Sequence, residues 1–224
     1  MSDQMISGIG MTSRRTRGRL IERLRQQGIR DEIVLSAMNT IPRHIFVAPA
    51  LSHLAYENTA LPIGFKQTIS QPYIVARMIE LLQEGRASPG RTLEIGTGCG
   101  YQTAVLGTLT RELFSVERIA PLLEKARNNL AQLPALRHVR LRHGDGNAGL
   151  PENAPFDSII VSAAAPGVPP ELCAQLAPGG ILVLPVGESE QYLYRIRRTE
   201  RGFEEKMLEA VRFVPLEKGL LKGA

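Results

Sequence analysis

The chain has 224 residues, of which 43% are hydrophobic and 22% are charged. It has no apolar run near the ~20 residues that cross a membrane, and its N-terminus lacks the basic start and apolar core of a secretory signal. Two cysteines in unlike contexts argue against a disulfide framework. These features favour a single folded unit that has no membrane partner and resides in the cytoplasm.

The net charge of +5 and the pI near 9.5 raise the question of a nucleic-acid partner, because a basic surface attracts phosphate. Six arginines cluster in the first predicted helix, at Arg14, Arg15, Arg17, Arg19, Arg23 and Arg25. Apolar side chains at Leu20, Ile21 and Leu24 give this helix one buried face. We therefore interpret the arginines as its solvated face and disfavour a nucleic-acid partner, with polyanion binding as the alternative.

The first part of the chain is predicted to be helical. Residues 13–27 and 31–39 have helical periodicity, with Gly28 ending the first helix and Asp31 capping the second. Residues 45–70 are irregular, and an amphipathic helix follows over 72–84. We predict an N-terminal helical extension, residues 1–90, that packs on a core of residues 91–224 as one structural unit.

After residue 90, short β-rich runs alternate with helical runs, which is typical of βαβ units around a parallel sheet. Strands are predicted over 92–95, 113–116, 139–141, 158–161 and 181–186, and helices from 101, over 121–133 and over 170–176. Two further strand-like runs, 191–199 and 203–216, are separated by only "ERG", which leaves no room for a crossover helix. The sheet should therefore end antiparallel.

The segment "TLEIGTGCGYQTAVL" joins the first of these strands to a helix through Gly96, Gly98 and Gly100. Glycines at such a turn allow a ligand to approach the backbone closely. Glu117 ends the next strand, where a carboxylate can accept both hydroxyls of a ribose. The loop and Glu117 together predict a site for a ribose-bearing ligand, and a tight turn without a ligand is the alternative.

The glycine spacing distinguishes between cofactors. A dinucleotide fingerprint needs glycine at position 101, where this chain has Tyr101, so an NAD-dependent oxidoreductase is disfavoured. The spacing G-x-G-x-G resembles motif I of the S-adenosylmethionine-dependent methyltransferases, in which Thr97 and Cys99 would also contact the cofactor. This resemblance implies an α/β fold with a Rossmann-like, doubly wound, seven-stranded sheet and an antiparallel last strand. It assigns Asp145 and Gly146 to the adenine, whereas an Asp-Gly turn without a ligand is the alternative.

Longer segments narrow the resemblance, among them "ALPIGFKQTISQPYIVARMIELL", "APFDSIIVSAAAP", "LAPGGILVLPVG" and "EAVRFVPL". Together they resemble the bacterial protein-L-isoaspartate O-methyltransferases over residues 14–219. The resemblance implies methyl transfer from S-adenosyl-L-methionine to the α-carboxylate of isoaspartyl residues in damaged proteins and peptides. The ester then closes to a succinimide, which hydrolyses in part to normal aspartate. Cys99, where the family often has serine, and Asn147, where relatives often carry a larger residue, depart from the pattern.

The resemblance also implies a substrate site. It assigns the active-site residue to Ser70 in "QTISQP", with Thr68 and Ile69 beside it and Tyr73 among the cofactor-binding residues. We expect the hydroxyls of Thr68 and Ser70 to face the site. A helix-capping role for the Ser70 hydroxyl, next to the helix that starts at Pro72, is the alternative.

The C-terminal segment "VRFVPL" is the remaining family-specific feature. The resemblance places it beside the peptide groove, so Val214, Pro215 and Leu216 are expected to support the substrate backbone. Ordinary strand packing is the alternative for these three residues.

The chemistry implied by the family needs few catalytic groups. A carboxylate is already ionised near pH 7, so no general base is required. The sequence has neither a Ser/His/Asp constellation nor metal-ligand spacing among its four histidines, and we predict no metal. Catalysis should therefore depend on neutral donors, with Ser70 foremost, that position the carboxylate.

Two other functions remain as alternatives. An S-adenosylmethionine-dependent RNA methyltransferase would suit the high pI, but "VSAAAPG" follows the fourth strand of the core where amino-group methylating enzymes carry an Asn/Asp-Pro-Pro-aromatic motif. A cofactor-binding interaction module without activity has no residue in its favour.

Overall fold

The computed structural model describes residues 8–221, so the outer ends of the predicted parts 1–90 and 91–224, and the start of the segment in which no secretory signal was expected, lie outside the described range. Its strands are β1 (Leu61–Gly64), β2 (Gln67–Ile69), β3 (Thr92–Ile95), β4 (Leu113–Glu117), β5 (Arg140–His143), β6 (Phe156–Val161), β7 (Leu176–Val186), β8 (Gln191–Thr199) and β9 (Gly202–Val211). Its α-helices are α1 (Arg14–Gln26), α2 (Glu32–Thr40), α3 (Pro72–Gln83), α4 (Tyr101–Leu109), α5 (Ala120–Leu130) and α6 (Pro170–Ala174). No helix among these residues is long and apolar enough to cross a membrane.

Strands β3 to β9 form one sheet with the order β5-β4-β3-β6-β7-β8-β9. β3 pairs in parallel with β4 on one side and with β6 on the other, and both β3 and β4 are buried along their whole length. The chain thus moves outward from β3 to β5 and then returns to β6. In open α/β sheets the ligand site lies beyond the carboxyl ends of the strands at such a reversal.

The sheet ends antiparallel, because β8 pairs antiparallel with both β7 and β9. This confirms the predicted Rossmann-like α/β fold. β7 is longer than the predicted 181–186, since Leu176 already pairs with Phe156 of β6 beyond a register shift. Pairing with β6 therefore takes "APGG" into the strand despite its proline and glycines, and α6 ends before the predicted residue 176.

The helix ends follow the capping residues. The Ser13 hydroxyl accepts a hydrogen bond from the Thr16 backbone N–H, and the Asp31 carboxylate accepts from the backbone N–H groups of Ile33 and Val34. α3 begins at Pro72, whose fixed φ suits the first helical position. The N-terminal extension is helical, as predicted.

The two faces of the sheet have separate cores. Leu93, Phe114 and Ile159 belong to one buried cluster on one face. Ile160 and Leu113 belong to the other cluster, which also contains buried side chains from α1, α2 and α3. The N-terminal extension therefore covers one face of the sheet and shares its core.

The region predicted to be irregular, residues 45–70, contains an antiparallel hairpin of β1 and β2. Its turn holds Phe65 and Lys66 at φ values of 54° and 58°, a left-handed conformation that non-glycine residues seldom adopt. The turn residues are not the Asn-Gly or Gly-Gly pair that is typical of two-residue hairpin loops, which is why the sequence did not reveal the hairpin. Ile69 packs inward with 5% exposure, so the hairpin is fixed to the core beside the expected substrate loop.

Several of the clustered arginines are held by protein groups. Arg23 pairs with Glu57 at 3.2 Å, Arg25 lies 2.8 Å from Glu32, and Arg17 is buried. Arg14, Arg15 and Arg19 are exposed. The basic face of α1 is therefore narrower than the sequence suggested.

Candidate active site

A cavity of about 650 Å³ opens beyond the carboxyl ends of β3, β4 and β6. Its size is within the range of small-molecule sites. One side is the glycine loop with the end of β4, the second is the β1–β2 hairpin with the start of α3, and the third is the segment after β9. The cavity thus lies at the reversal of strand order and brings together the three regions that the sequence singled out.

The glycine loop forms the inner wall. Gly96 and Gly98 line the cavity at φ values of 92° and 57°, and a side chain on Gly98 would come within 3.3 Å of Ile63 Cδ1. The Gly96 N–H donates to the Val116 carbonyl at 2.8 Å, which ties the loop to β4. Thr97 and Cys99 also line the cavity. Glycine at position 98 therefore keeps the loop close to the opposite wall.

Glu117 stands at the end of β4 and is only 5% exposed. Its carboxylate accepts hydrogen bonds from the Gly98 N–H at 2.8 Å and from the Ile119 N–H at 2.9 Å. Each carboxylate oxygen can accept more than one hydrogen bond, so the group retains acceptor capacity on the cavity side. Glu117 both fixes the glycine loop and offers acceptors for a ligand with hydroxyl groups.

The second wall carries neutral polar groups. Thr68, Ile69 and Ser70 line the cavity, and the Ser70 hydroxyl makes no hydrogen bond to any described residue. Gln71, not Ser70, is the N-cap of α3, and its side chain caps nothing. The capping alternative for Ser70 therefore has no support in this structure, and its hydroxyl is available to a ligand.

The third wall is the segment after β9, where Val214, Pro215 and Leu216 line the cavity. The Val214 carbonyl accepts from the Ala164 N–H at 2.8 Å, and the Leu216 N–H donates to the Ala164 carbonyl at 2.7 Å. Within residues 8–221 the Val214 N–H has no hydrogen-bond acceptor. The segment is thus held by strand-like pairing on one side and has a backbone donor left over.

Three of the expected cofactor residues do not line the cavity. Gly100 instead makes room for α5, since a side chain there would come within 3.3 Å of Ala126 Cβ. The Tyr73 hydroxyl donates to Glu209 at 2.9 Å, outside the cavity. Burial raises the pKa of Tyr73, and its contact with Glu209 adds to this effect.

The third is Asp145, whose two oxygens both accept hydrogen bonds from protein groups outside the cavity. One accepts from the backbone and side-chain nitrogens of Asn147, and the other accepts from the Gly219 N–H at 2.7 Å. Burial raises the pKa of Asp145, but the donors from Gly219 and Asn147 outweigh it, so the net shift is downward. Asp145 holds the C-terminal segment, and its neighbour Gly146 reaches the cavity wall.

Gln102 and Ser162 also line the cavity and were missed in the sequence. Gln102 lies in the first turn of α4, and Ser162 directly follows β6. The available signal was position, because polar side chains that follow the carboxyl end of a central parallel strand face the ligand site. Their hydroxyl and amide groups add neutral hydrogen-bonding capacity.

No histidine is among the described residues that line the cavity, and the part of the chain from 8 to 221 has no cluster of acidic, histidine or cysteine side chains placed to hold a metal. Burial raises the pKa of the Cys99 thiol and raises that of Tyr101 to about 12. Both groups are therefore neutral near pH 7. Apart from the Glu117 carboxylate, the inner wall therefore offers neutral hydrogen-bonding groups.

A family model described as protein-L-isoaspartate(D-aspartate) O-methyltransferase matches residues 15–221. The chain belongs to this family. A relative named protein-L-isoaspartate O-methyltransferase from Dechloromonas aromatica is 62% identical over 215 residues, which cover 96% of this chain and 99% of the relative. One of the same name from Methylobacillus flagellatus is 58% identical over 223 residues, covering 98% of this chain and 99% of the relative.

Solved structures agree with the isoaspartate methyltransferase family. A Plasmodium falciparum protein described as such a methyltransferase, in complex with S-adenosyl-L-homocysteine, has a TM-score of 0.80 and 26% identity, covering 90% of this chain and 98% of that one. Another structure with the family's name has a TM-score of 0.79 and 27% identity, covering 92% of this chain and 67% of that one. These matches confirm the fold.

Membership in the family confirms the function predicted from the motifs. The enzyme methylates L-isoaspartyl residues of damaged proteins, with S-adenosylmethionine as methyl donor, and the RNA methyltransferase alternative is not favoured. The cavity suits that cofactor. Its inner wall has a close backbone at Gly98, and the Glu117 carboxylate is placed to accept hydrogen bonds from a ligand with hydroxyl groups.

Proposed function

We propose that Ser70 orients the substrate carboxylate in this cavity, with Thr68, Ile69 and the 214–216 segment supporting the peptide and the glycine loop with Glu117 holding the cofactor. The observation that carries the proposal is that Ser70 and Glu117 line one cavity and that the Ser70 hydroxyl has no partner among residues 8–221. A buried or half-buried hydroxyl that the protein leaves unused is suited to a ligand.

S-adenosylmethionine, when bound, supplies a methyl group on a positively charged sulfur. The chain's own residues bind, orient and exclude water. The Ser70 hydroxyl donates a hydrogen bond to one carboxylate oxygen without neutralising it, so the other oxygen remains nucleophilic. Positioning of this kind can supply several kcal/mol of a reaction barrier, in the range of ~7–11 kcal/mol for well-oriented reactants.

The substrate backbone is proposed to lie along the third wall. The Val214 N–H has no acceptor among the described residues, and Val214 lines the cavity together with Pro215 and Leu216. An extended peptide can use such a backbone donor independently of its side chains, as in strand addition. This arrangement suits an enzyme whose substrates share a damaged residue and little else.

We further propose a cytoplasmic enzyme with no nucleic-acid or membrane partner. Both cysteines are free and buried, which supports a reducing compartment. Arg23 and Arg25 are paired with carboxylates, which lowers the basic charge available to a polyanion. Binding of the purified protein to RNA at low salt would contradict this part of the proposal.

Paired peptides test the activity. An isoaspartyl peptide and its aspartyl twin of the same sequence are incubated with the enzyme and S-adenosylmethionine labelled in the methyl group. We expect label only on the isoaspartyl peptide, because an extra backbone carbon moves the carboxylate relative to the positioning groups. Equal labelling of both peptides would contradict the proposed recognition.

A further inference from the structure

Glu94 is a fully buried carboxylate on β3, just before the glycine loop, and it does not line the cavity. Its neighbours on the adjacent strands are Ser115 of β4 and Ile160 of β6, which carry no charge. Within the described residues, the charged group that acts on it is Glu117, which is also negative. Burying a carboxylate without a cation costs free energy, so its presence calls for a physical reason.

Three donors surround the Glu94 carboxylate. Thr103 Oγ1 and Ser115 Oγ donate to Oε2 at 2.5 and 2.6 Å, and Gln102 Nε2 donates to Oε1 at 3.1 Å. Burial raises the pKa of Glu94 to about 7, although the three donors lower it. Both carboxylate oxygens of Glu94 therefore accept hydrogen bonds, yet burial keeps its pKa at about 7.

The donors connect Glu94 to the cavity through two chains of hydrogen bonds, here called arms, one through Ser115 to Thr97 and one through Gln102 to Ser162. A hydroxyl has one hydrogen to donate, and Ser115 gives it to Glu94. The 2.6 Å hydrogen bond between Thr97 Oγ1 and Ser115 Oγ must then be donated by Thr97. On the other arm, Gln102 Nε2 also donates to Ser162 Oγ at 2.8 Å.

Both arms end at residues that line the cavity, Thr97 and Ser162. Because Thr97 donates inward, its oxygen remains an acceptor for a ligand. Because Ser162 accepts from Gln102, its own hydrogen remains free to be donated to a ligand. The carboxylate thus fixes which cavity hydroxyl accepts and which one donates.

We propose that Glu94 is a positioning residue for cofactor binding, which acts through Ser115 and Gln102 to keep an acceptor at Thr97 and a donor at Ser162. The proposal rests on the proposed function in one respect, that this cavity holds the cofactor. It concerns a side chain behind the wall that touches neither cofactor nor substrate.

The variant Glu94→Gln reverses one arm and leaves the other. The Gln102 Nε2 group can only donate, so the new amide oxygen must face it, and the new NH₂ must face Ser115 and Thr103. Ser115 then becomes an acceptor and turns its hydrogen toward Thr97. Thr97 then accepts from Ser115 and loses its inward acceptor, so its own hydrogen turns toward the ligand and opposes a ligand donor there, while the Ser162 arm is unchanged.

The experiment measures the dissociation constant of S-adenosyl-L-homocysteine by calorimetry on the intact chain across neutral pH. In the wild type we expect affinity to fall as pH falls through about 7, because the ionised form of Glu94 holds the acceptor arrangement. Glu94→Gln and Ser115→Ala should bind roughly 3- to 10-fold more weakly at high pH, the effect of one hydrogen bond, and should lose the pH dependence.

Two further variants separate positioning from structural damage. Thr103→Val removes a donor to Glu94 that belongs to neither arm, so it should move the midpoint of the pH profile upward while the affinity at high pH stays near the wild-type value. His143→Gln should keep the wild-type profile, since the His143 side chain bonds to the Arg118 carbonyl, outside the network.

The outcomes distinguish the positioning role of Glu94 from the proposed function of the cavity as the cofactor site. If the wild type fails to bind S-adenosyl-L-homocysteine, the proposed function of the cavity fails. If the wild type binds but Glu94→Gln has the same affinity and the same pH profile, the positioning role of Glu94 is wrong and the cofactor site stands. A profile that disappears in His143→Gln would also overturn the role of Glu94.

Discussion

The Glu117 carboxylate lies 2.8 Å from the backbone nitrogen of Gly98, so the residue expected to hold the cofactor also holds the loop that approaches it. Its second oxygen accepts from Ile119. Both acceptors are needed, because each backbone N–H sits at the turn that follows a buried strand. One carboxylate thus links the ends of β3 and β4 across the cavity floor.

The first prediction concerns this link. Glu117→Gln keeps the size of the side chain but replaces one acceptor oxygen with a donor, which opposes one of the two backbone N–H groups. We expect S-adenosyl-L-homocysteine binding to weaken by about 1.5–3 kcal/mol, the range for hydrogen bonds to a charged group. Calorimetry measures it. Glu112→Gln, on an exposed carboxylate near Arg91, is the control and should bind normally.

The second prediction concerns Ser70. Ser70→Ala should lower kcat by about 10²–10³-fold, by analogy with the loss of one preorganised donor, while S-adenosyl-L-homocysteine affinity stays the same. The thermal midpoint should also stay the same, because the hydroxyl caps no helix. Thr68→Val is the comparison. A near-normal kcat for Ser70→Ala together with a large loss for Thr68→Val would assign the role to Thr68.

The third prediction is a pair of glycine substitutions with opposite signs. Gly100→Ala should destabilise the fold by about 2 kcal/mol, because the residue has φ of 90° and a methyl group would press on Ala126. Gly18→Ala should instead stabilise it by about 0.5–1 kcal/mol, since Gly18 lies within α1 and a methyl group there meets nothing within 4 Å. Urea unfolding measures both. Equal effects would mean that Gly100 does not limit the packing of α5.

The fourth prediction is a pH dependence of stability in the cofactor-free enzyme. Burial raises the pKa of Glu94 from 4.5 to about 7, so the folded state binds a proton more readily than the unfolded state. This contribution is present at low pH and is lost as pH rises through about 7. Between about pH 8.5 and about 5.5 it should stabilise the wild type by about 2 kcal/mol.

Other groups titrate in the same range, so the measurement is the difference between the wild type and Glu94→Gln, each unfolded in urea at several pH values. The direction is opposite to that expected for cofactor affinity, which falls at low pH. A variant that is at least as stable as the wild type at high pH but binds the cofactor more weakly cannot be explained by loss of structure. Parallel slopes for the two proteins would show that Glu94 does not titrate near neutral pH.

The central strands were predictable because each is a short β-rich run that can be recognised from neighbouring residues alone. Residues 92–95 form β3 as expected, and Glu117 was singled out because it ends the strand that follows the glycine loop, where a carboxylate can accept ribose hydroxyls. The hairpin of β1 and β2 was not predictable, since its turn depends on a left-handed conformation at Phe65 and Lys66, which non-glycine residues seldom adopt. Residues 200–202 are too few for a crossover helix between two strand-like runs, so the antiparallel ending was predicted correctly.

The site was predictable where a motif touches the ligand and unpredictable where a contact lies behind it. Ser70, Thr97 and Glu117 were named in advance and line the cavity. The carboxylate of Glu94 was visible in "TLEI" as a charge within a buried strand, but its connection to Thr97 through Ser115 depends on strand register. The engagement of Asp145 by Gly219 depends on a long-range contact that no local pattern records.

The third wall has a consequence for biosynthesis. Residues 212–217 follow every strand of the seven-stranded sheet, and they line the cavity while Val214 and Leu216 pair with Ala164 and Glu217 bonds to Arg118 and Asn147. A nascent chain whose sheet has already emerged from the ribosome therefore still lacks the surface proposed to hold the peptide. On this proposal, truncated copies that stop after β9 are not expected to compete with the finished enzyme for damaged proteins.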